Sequence, residues 1–95
     1  YTGSRGKSAA SDANAEYLAL VRGQLKSHDV TFQMAEMAKV DVGGGGTIAK
    51  YAAKYGMQVI DCGVSVLSMH APWEITSTYD IEHAYLGYKA FLAIK

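Results

Sequence analysis

Two stretches of this chain carry residue types that could do chemistry. The first is VDVGGGGTIAK, residues 40–50, and the second is VSVLSMHAPWE, residues 64–74. Consecutive glycines ahead of a helix let backbone N–H groups come close to an anion or a carbonyl oxygen. Thr47, straight after Gly44, Gly45 and Gly46, can cap that helix or offer a hydroxyl donor. The run is not a phosphate loop, because GxxxxGK[ST] is met at no register. A dinucleotide fingerprint would need glycine where Thr47 or Ile48 stands. A flexible turn and a loop whose backbone touches a ligand both fit these residues. Phosphate binding is a weaker third reading, since no Lys–Ser/Thr follows the glycines.

In the second stretch an apolar, β-branched run stops at His70, and the chain's single proline and single tryptophan follow. The expectation is an imidazole at the carboxyl end of a strand, where open α/β sheets form their ligand crevice. Pro72 is expected to end the strand so that the ring faces a cleft. From the residues alone the structural reading, a satisfied histidine at a strand end, is preferred, and the crevice-facing imidazole is the functional alternative. Asp41 could accept hydrogen bonds from the glycine loop, and Asp61 could cap a turn beside Cys62 and Gly63; the structural reading is preferred for both. His28 and His83 are expected to be solvated. HExxH, CxxC and GxSxG are absent. One histidine cannot hold a metal that needs three or four ligands.

The elements that must position these residues follow from periodicity. In DANAEYLALVRGQLKSHD, Tyr17, Val21 and Leu25 fall at i, i+4, i+8, with Leu18 and Leu20 widening the stripe. This predicts an amphipathic helix of about four turns, capped by Ser11 with Asp12 in its first turn. VTFQM reads as a strand, and AEMAKVDV as a loop with a short strand near Val40. TIAKYAAKYG predicts a helix, with Ile48, Tyr51, Ala52 and Tyr55 at helical spacing and Gly56 as its left-handed stop. MQVIDCGV and VSVLSM read as strands. Ser77, three residues before Asp80, opens a final helix in capping-box fashion, with Ile81, Tyr85, Tyr88 and Leu92 as its buried stripe. Tyr17, Tyr51, Tyr55, Tyr85 and Tyr88 are expected in a helical-face core. The order of elements predicts an α/β chain, a layered sheet flanked by helices.

Bulk properties narrow the function classes. The length of 95 residues allows one domain. Nine basic residues balance nine acidic ones, so no electrostatic footprint for nucleic acid or an anionic membrane is expected. The single cysteine, Cys62, excludes an internal disulfide, and a reducing compartment is the simplest setting. Nothing in these residues approaches the roughly 20 apolar residues of a membrane span, and no secretory leader is expected. The first residue, Tyr1, is read as the mark of a fragment.

Taken together, YTGSRGKSAASDANAE, VDVGGGGTIAKYAAKYGMQVIDCGV and SVLSMHAPWE closely resemble the carboxy-terminal part of the M18 family of metalloaminopeptidases. This is the family of aspartyl aminopeptidase and vacuolar aminopeptidase I. The resemblance runs from Tyr1 to the final helix. It implies that residues 1–95 are a segment of a zinc-peptidase-like α/β catalytic domain, lacking the family's inserted dimerisation domain. It further implies a longer parent enzyme that assembles into homododecamers and releases N-terminal residues, often acidic ones, from peptides; the cytoplasm is the expected location, in keeping with the reducing compartment read from the single cysteine. Two divalent metal ions, usually zinc, and a glutamate general base would serve it.

Carried over by residue, His70 matches the family's last metal ligand. Gly44, Gly45, Gly46 and Thr47 match the loop lining the substrate pocket. Asp41 matches an acidic position that often precedes that loop. The family's other ligands and its catalytic glutamate match no residue of this chain, nor does a lysine usually found just before YTGSRG. The implied partners are a peptide substrate and the remainder of the parent enzyme, and the isolated chain is expected to be inactive. The alternative is a non-catalytic α/β scaffold or self-association module.

Overall fold

Helix α1, Ala15–Ser27, opens where Asn14 can cap it. In the computed structural model, which describes residues 14–35 and 48–95, the Asn14 Oδ1 accepts the N–H of Tyr17 at 2.8 Å. That bond satisfies one of the donors a helix start leaves without a partner. The expected cap, Ser11, lies with Asp12 outside the described residues; the helix starts three residues later than they would require. Glu16 in the first turn and Lys26 in the last complement the helix dipole. Tyr17, Leu18, Val21 and Leu25 are half-buried as the periodicity predicts, whereas Leu20 is exposed.

A Schellman motif ends α1 without a glycine. Asp29 takes the left-handed conformation (φ 55). The Val30 N–H reaches the Leu25 carbonyl at 3.0 Å, and the Asp29 N–H reaches Lys26 at 3.1 Å. The reversal buries Val30, which is 8% exposed. It also explains why VTFQM is not a strand. The Val30 donor is spent on α1, and the Thr31 N–H goes to His83 Nδ1 at 3.0 Å, so neither is left for a ladder.

Helix α2, Ala49–Ala53, is a single turn and a half, shorter than TIAKYAAKYG suggests. Gly56 does stop it in the left-handed conformation (φ 75). The apolar stripe expected here is reversed. Ile48, Tyr51 and Tyr55 are exposed, and the small Ala49 is the buried residue. Residues 57–65 form no strand, so MQVIDCGV lacks a ladder partner among the described residues.

The sheet is a hairpin of two short strands. β1, Val66–Leu67, pairs antiparallel with β2, Ile75–Thr76, in the register Val66↔Thr76 and Leu67↔Ile75. The Thr76 hydroxyl donates to the Ser65 carbonyl at 2.8 Å and extends the pairing by one rung. The chain is thus mixed α/β, but the layered sheet expected from the sequence is not what the described residues build. β2 had no signal, because two residues beside Pro72 and Trp73 show no readable alternation.

Helix α3, Thr78–Leu92, begins at Ser77 as expected. The capping box is not made: Ser77 sits in extended geometry with no side-chain cap bond. Residues on α3 that face α1 and Val30 are small. Ala90 is 1% exposed, and a Cβ added at Gly87 would lie 3.6 Å from both Leu25 and Val30. Gln24 Nε2 donates to the Ala90 carbonyl at 2.8 Å. The predicted stripe of Ile81, Tyr85, Tyr88 and Leu92 lies on the opposite side and is exposed.

The described residues fall into two compact units. One holds residues 14–20, 33–35 and 48–61, and the other residues 21–32 and 62–95.

Candidate functional site

The connection from β1 to β2 carries His70. Ser68 turns the chain out of β1 with a left-handed backbone (φ 59), and His70 is left-handed again (φ 69). The Ala71 N–H donates to the Ser68 carbonyl at 3.0 Å and closes a four-residue turn. His70 is its third residue, the position where a type II turn requires positive φ and normally takes glycine or asparagine. Each non-glycine residue held there costs roughly 1–2 kcal/mol, so this loop stores strain at two places.

A carboxylate helps hold the strained turn. The His70 N–H donates to Glu74 Oε1 at 2.6 Å, a charge-assisted bond stronger than a neutral one. The imidazole itself is exposed, as are Met69 and Trp73 on either side. The expectation for Pro72 is corrected here. β1 ends at Leu67, five residues before the proline, because Ser68 and His70 leave the extended region. His70 accordingly sits in a turn three residues beyond the strand rather than at its carboxyl end. Pro72 instead biases Ala71 away from helical geometry on the path back to Glu74.

Sequence reasoning missed Glu74. Its only signal is a carboxylate four residues after the histidine, and the bond that matters goes to backbone, which no side-chain motif encodes. At the base of the hairpin, an open cavity of about 340 Å³ is lined by Ser65, Val66, Thr76, Ser77 and Asp80 among others. His70 is not among its lining residues.

The other histidines divide. His28 is exposed, its Nδ1 within 3.0 Å of the Gln24 carbonyl. His83 is not solvated as expected but half-buried. Its Nδ1 takes the Thr31 N–H, its ring lies 4.3 Å from that of Tyr79, and the Tyr79 hydroxyl shares a 2.9 Å bond with Thr31 Oγ1. The three residues latch the segment after α1 onto α3, a structural role. Asp61 is half-buried in irregular backbone rather than at a strand end. Gly44, Gly45, Gly46, Thr47 and Asp41 lie outside the described residues.

Residues 2–92 match the family model described as aminopeptidase I zinc metalloprotease (M18). The chain belongs to that family. Among its relatives is a probable M18 family aminopeptidase 1 of Clostridium acetobutylicum, 62% identical over 92 residues, covering 97% of this chain and 20% of the relative. The protein of the same description from Borreliella burgdorferi is 53% identical over 91 residues, covering 96% of this chain and 20% of the relative. That of Thermotoga maritima is 48% identical over 92 residues, with 97% and 20% coverage. The chain therefore spans about a fifth of the length of these relatives. No solved structure matches it.

Zinc, implied by the family's description, meets an incomplete donor set here. Among the described residues no three His, Cys, Asp or Glu side chains gather around one point. His70 offers one exposed imidazole, and Glu74 Oε1 already accepts a backbone N–H. A zinc site takes three or four ligands, so these residues alone do not fit the ion.

Proposed function

We propose that these 95 residues are the carboxy-terminal segment of the catalytic domain of a metal-dependent aminopeptidase, one that removes N-terminal residues, acidic ones included, from peptides. The observation that carries this reading is the family match across residues 2–92 in a chain covering 20% of its relatives. His70 would serve as one metal ligand, contributed to a site of two zinc ions whose remaining donors lie elsewhere in the parent. Its strained, carboxylate-braced turn supports that role, because strain clusters where geometry is held for a purpose. Gly44, Gly45, Gly46 and Thr47 would line the substrate pocket, with Asp41 ahead of them. The inserted dimerisation domain would lie outside this segment, and the parent would be a cytoplasmic homo-oligomer.

The test is assembled from two proteins. The pure 95-residue chain should hydrolyse no aminoacyl chromogenic substrate with zinc, cobalt or manganese added. Substituted for the matching stretch of the Clostridium relative, it should give an active metalloenzyme that loses bound metal and activity on His70→Ala. Turnover by the isolated chain, or unchanged metal content in the variant, refutes the reading.

The second reading, a self-standing scaffold or association module, draws on the compact unit formed by residues 21–32 and 62–95. Sedimentation separates the two: a stable soluble monomer favours the module, and oligomers or aggregates favour the segment.

A further inference from the structure

The latch between the end of α1 and helix α3 works in one protonation state only. The Thr31 N–H donates to His83 Nδ1 at 3.0 Å. That nitrogen must therefore be bare, with the proton of the neutral ring on Nε2. An imidazolium carries N–H at both nitrogens. Protonation of His83 would turn the acceptor into a second donor aimed at the Thr31 N–H. The ring is half-buried and lies 4.3 Å from that of Tyr79. The Tyr79 hydroxyl in turn shares a 2.9 Å bond with Thr31 Oγ1. A charged ring that turns away thus disturbs Thr31 at its backbone and at its side chain. The other titratable groups near this junction are Tyr79, Asp80 and Glu82 on α3, and His28 and Asp29 at the end of α1.

We propose that His83 is a proton-operated latch. Neutral, it holds the segment after α1 on α3; protonated, it lets Thr31 go. The hold is present at higher pH and is lost as pH falls through the range in which imidazoles gain a proton, about 6.5 for a free side chain. The release is local. The Val30 N–H is held by the Leu25 carbonyl at 3.0 Å, a pair without a titrating group, and it stays closed when Thr31 opens. The latch does not depend on the chain's role in a peptidase.

The test is nuclear magnetic resonance on the isotope-labelled chain. It reads the coupling transmitted through the N–H···N bond from Thr31 to His83, and the amide exchange of Thr31 relative to Val30. The coupling should be present at about pH 8 and absent at about pH 5, while Thr31 protection, corrected for intrinsic exchange, falls about tenfold relative to Val30. His83→Gln keeps a carbonyl acceptor that does not titrate, so Thr31 protection should then be equal at both pH values. His28→Gln should leave the response of the unsubstituted chain intact. Coupling that survives at the lower pH, or is absent at both, overturns the proposal. So does the same loss in His83→Gln, or a response abolished by His28→Gln. Opening of Val30 together with Thr31 also overturns it, because the event is then general unfolding. The coupling needs no substitution, so the unsubstituted chain decides even where a variant fails to fold.

Discussion

His70 holds a backbone conformation that an L side chain rarely adopts, and a single carboxylate oxygen accepts its N–H. Glycine meets no penalty there. His70→Gly is therefore expected to stabilise the hairpin by about 1 kcal/mol, while His70→Ala, which keeps the strain, is expected to give no gain. Thermal melts of the two variants check this, and a destabilising glycine would mean the turn is unstrained. His83 makes the opposite case. His83→Ala removes the acceptor of the Thr31 N–H and the ring beside Tyr79. A cost of about 1 kcal/mol is expected, together with faster amide exchange at Thr31 than at Tyr17, whose donor is held by Asn14.

At the scale of elements, three glycines that look alike in the sequence have different roles. Gly23 lies within α1 with nothing within 4 Å of an added Cβ. Gly23→Ala should stabilise the helix by roughly 0.5–1 kcal/mol through the entropy glycine otherwise loses. Gly87 has ordinary van der Waals space towards Leu25 and Val30, so alanine should be accepted there too. Gly56 stops α2 at φ 75, and Gly56→Ala should cost about 1 kcal/mol. Helical content by circular dichroism and the melting midpoint separate the signs: the first rises, the last falls.

At the scale of the whole molecule, what governs the expectations is how little apolar surface is covered among the described residues. The buried apolar residues among those described are Val30, Ala49 and Ala90, two of them the smallest side chain with a Cβ, while Ile48, Tyr55, Trp73 and Leu92 each exceed 80% exposure. Ordering the backbone costs about 1–2 kcal/mol per residue, and the three buried residues among those described offset little of it. The isolated chain is therefore expected to bind an apolar fluorescent dye strongly and to melt over a broad range. A sharp melt without dye binding would show that the open faces close on each other. No helix among the described residues is long and apolar enough to cross a membrane.

Read alone, the amino-acid sequence determined what local chemistry controls. It located α1 and α3 from apolar spacing, the stop at Gly56 from the freedom of glycine, and the family from three motifs in order. It singled out His70 by its neighbours. Tertiary structure decided what depends on partners distant in sequence. Periodicity marks a helix as two-faced but cannot say which face is met, so the stripe of Ile81, Tyr85, Tyr88 and Leu92 read as core until small residues on the other side proved to approach α1. Apolar runs read as strands until their donors went elsewhere, as the Thr31 N–H went to His83. The bond from His70 to Glu74 was hidden for the same reason: it joins a backbone donor to a side chain through a turn that residue types do not announce.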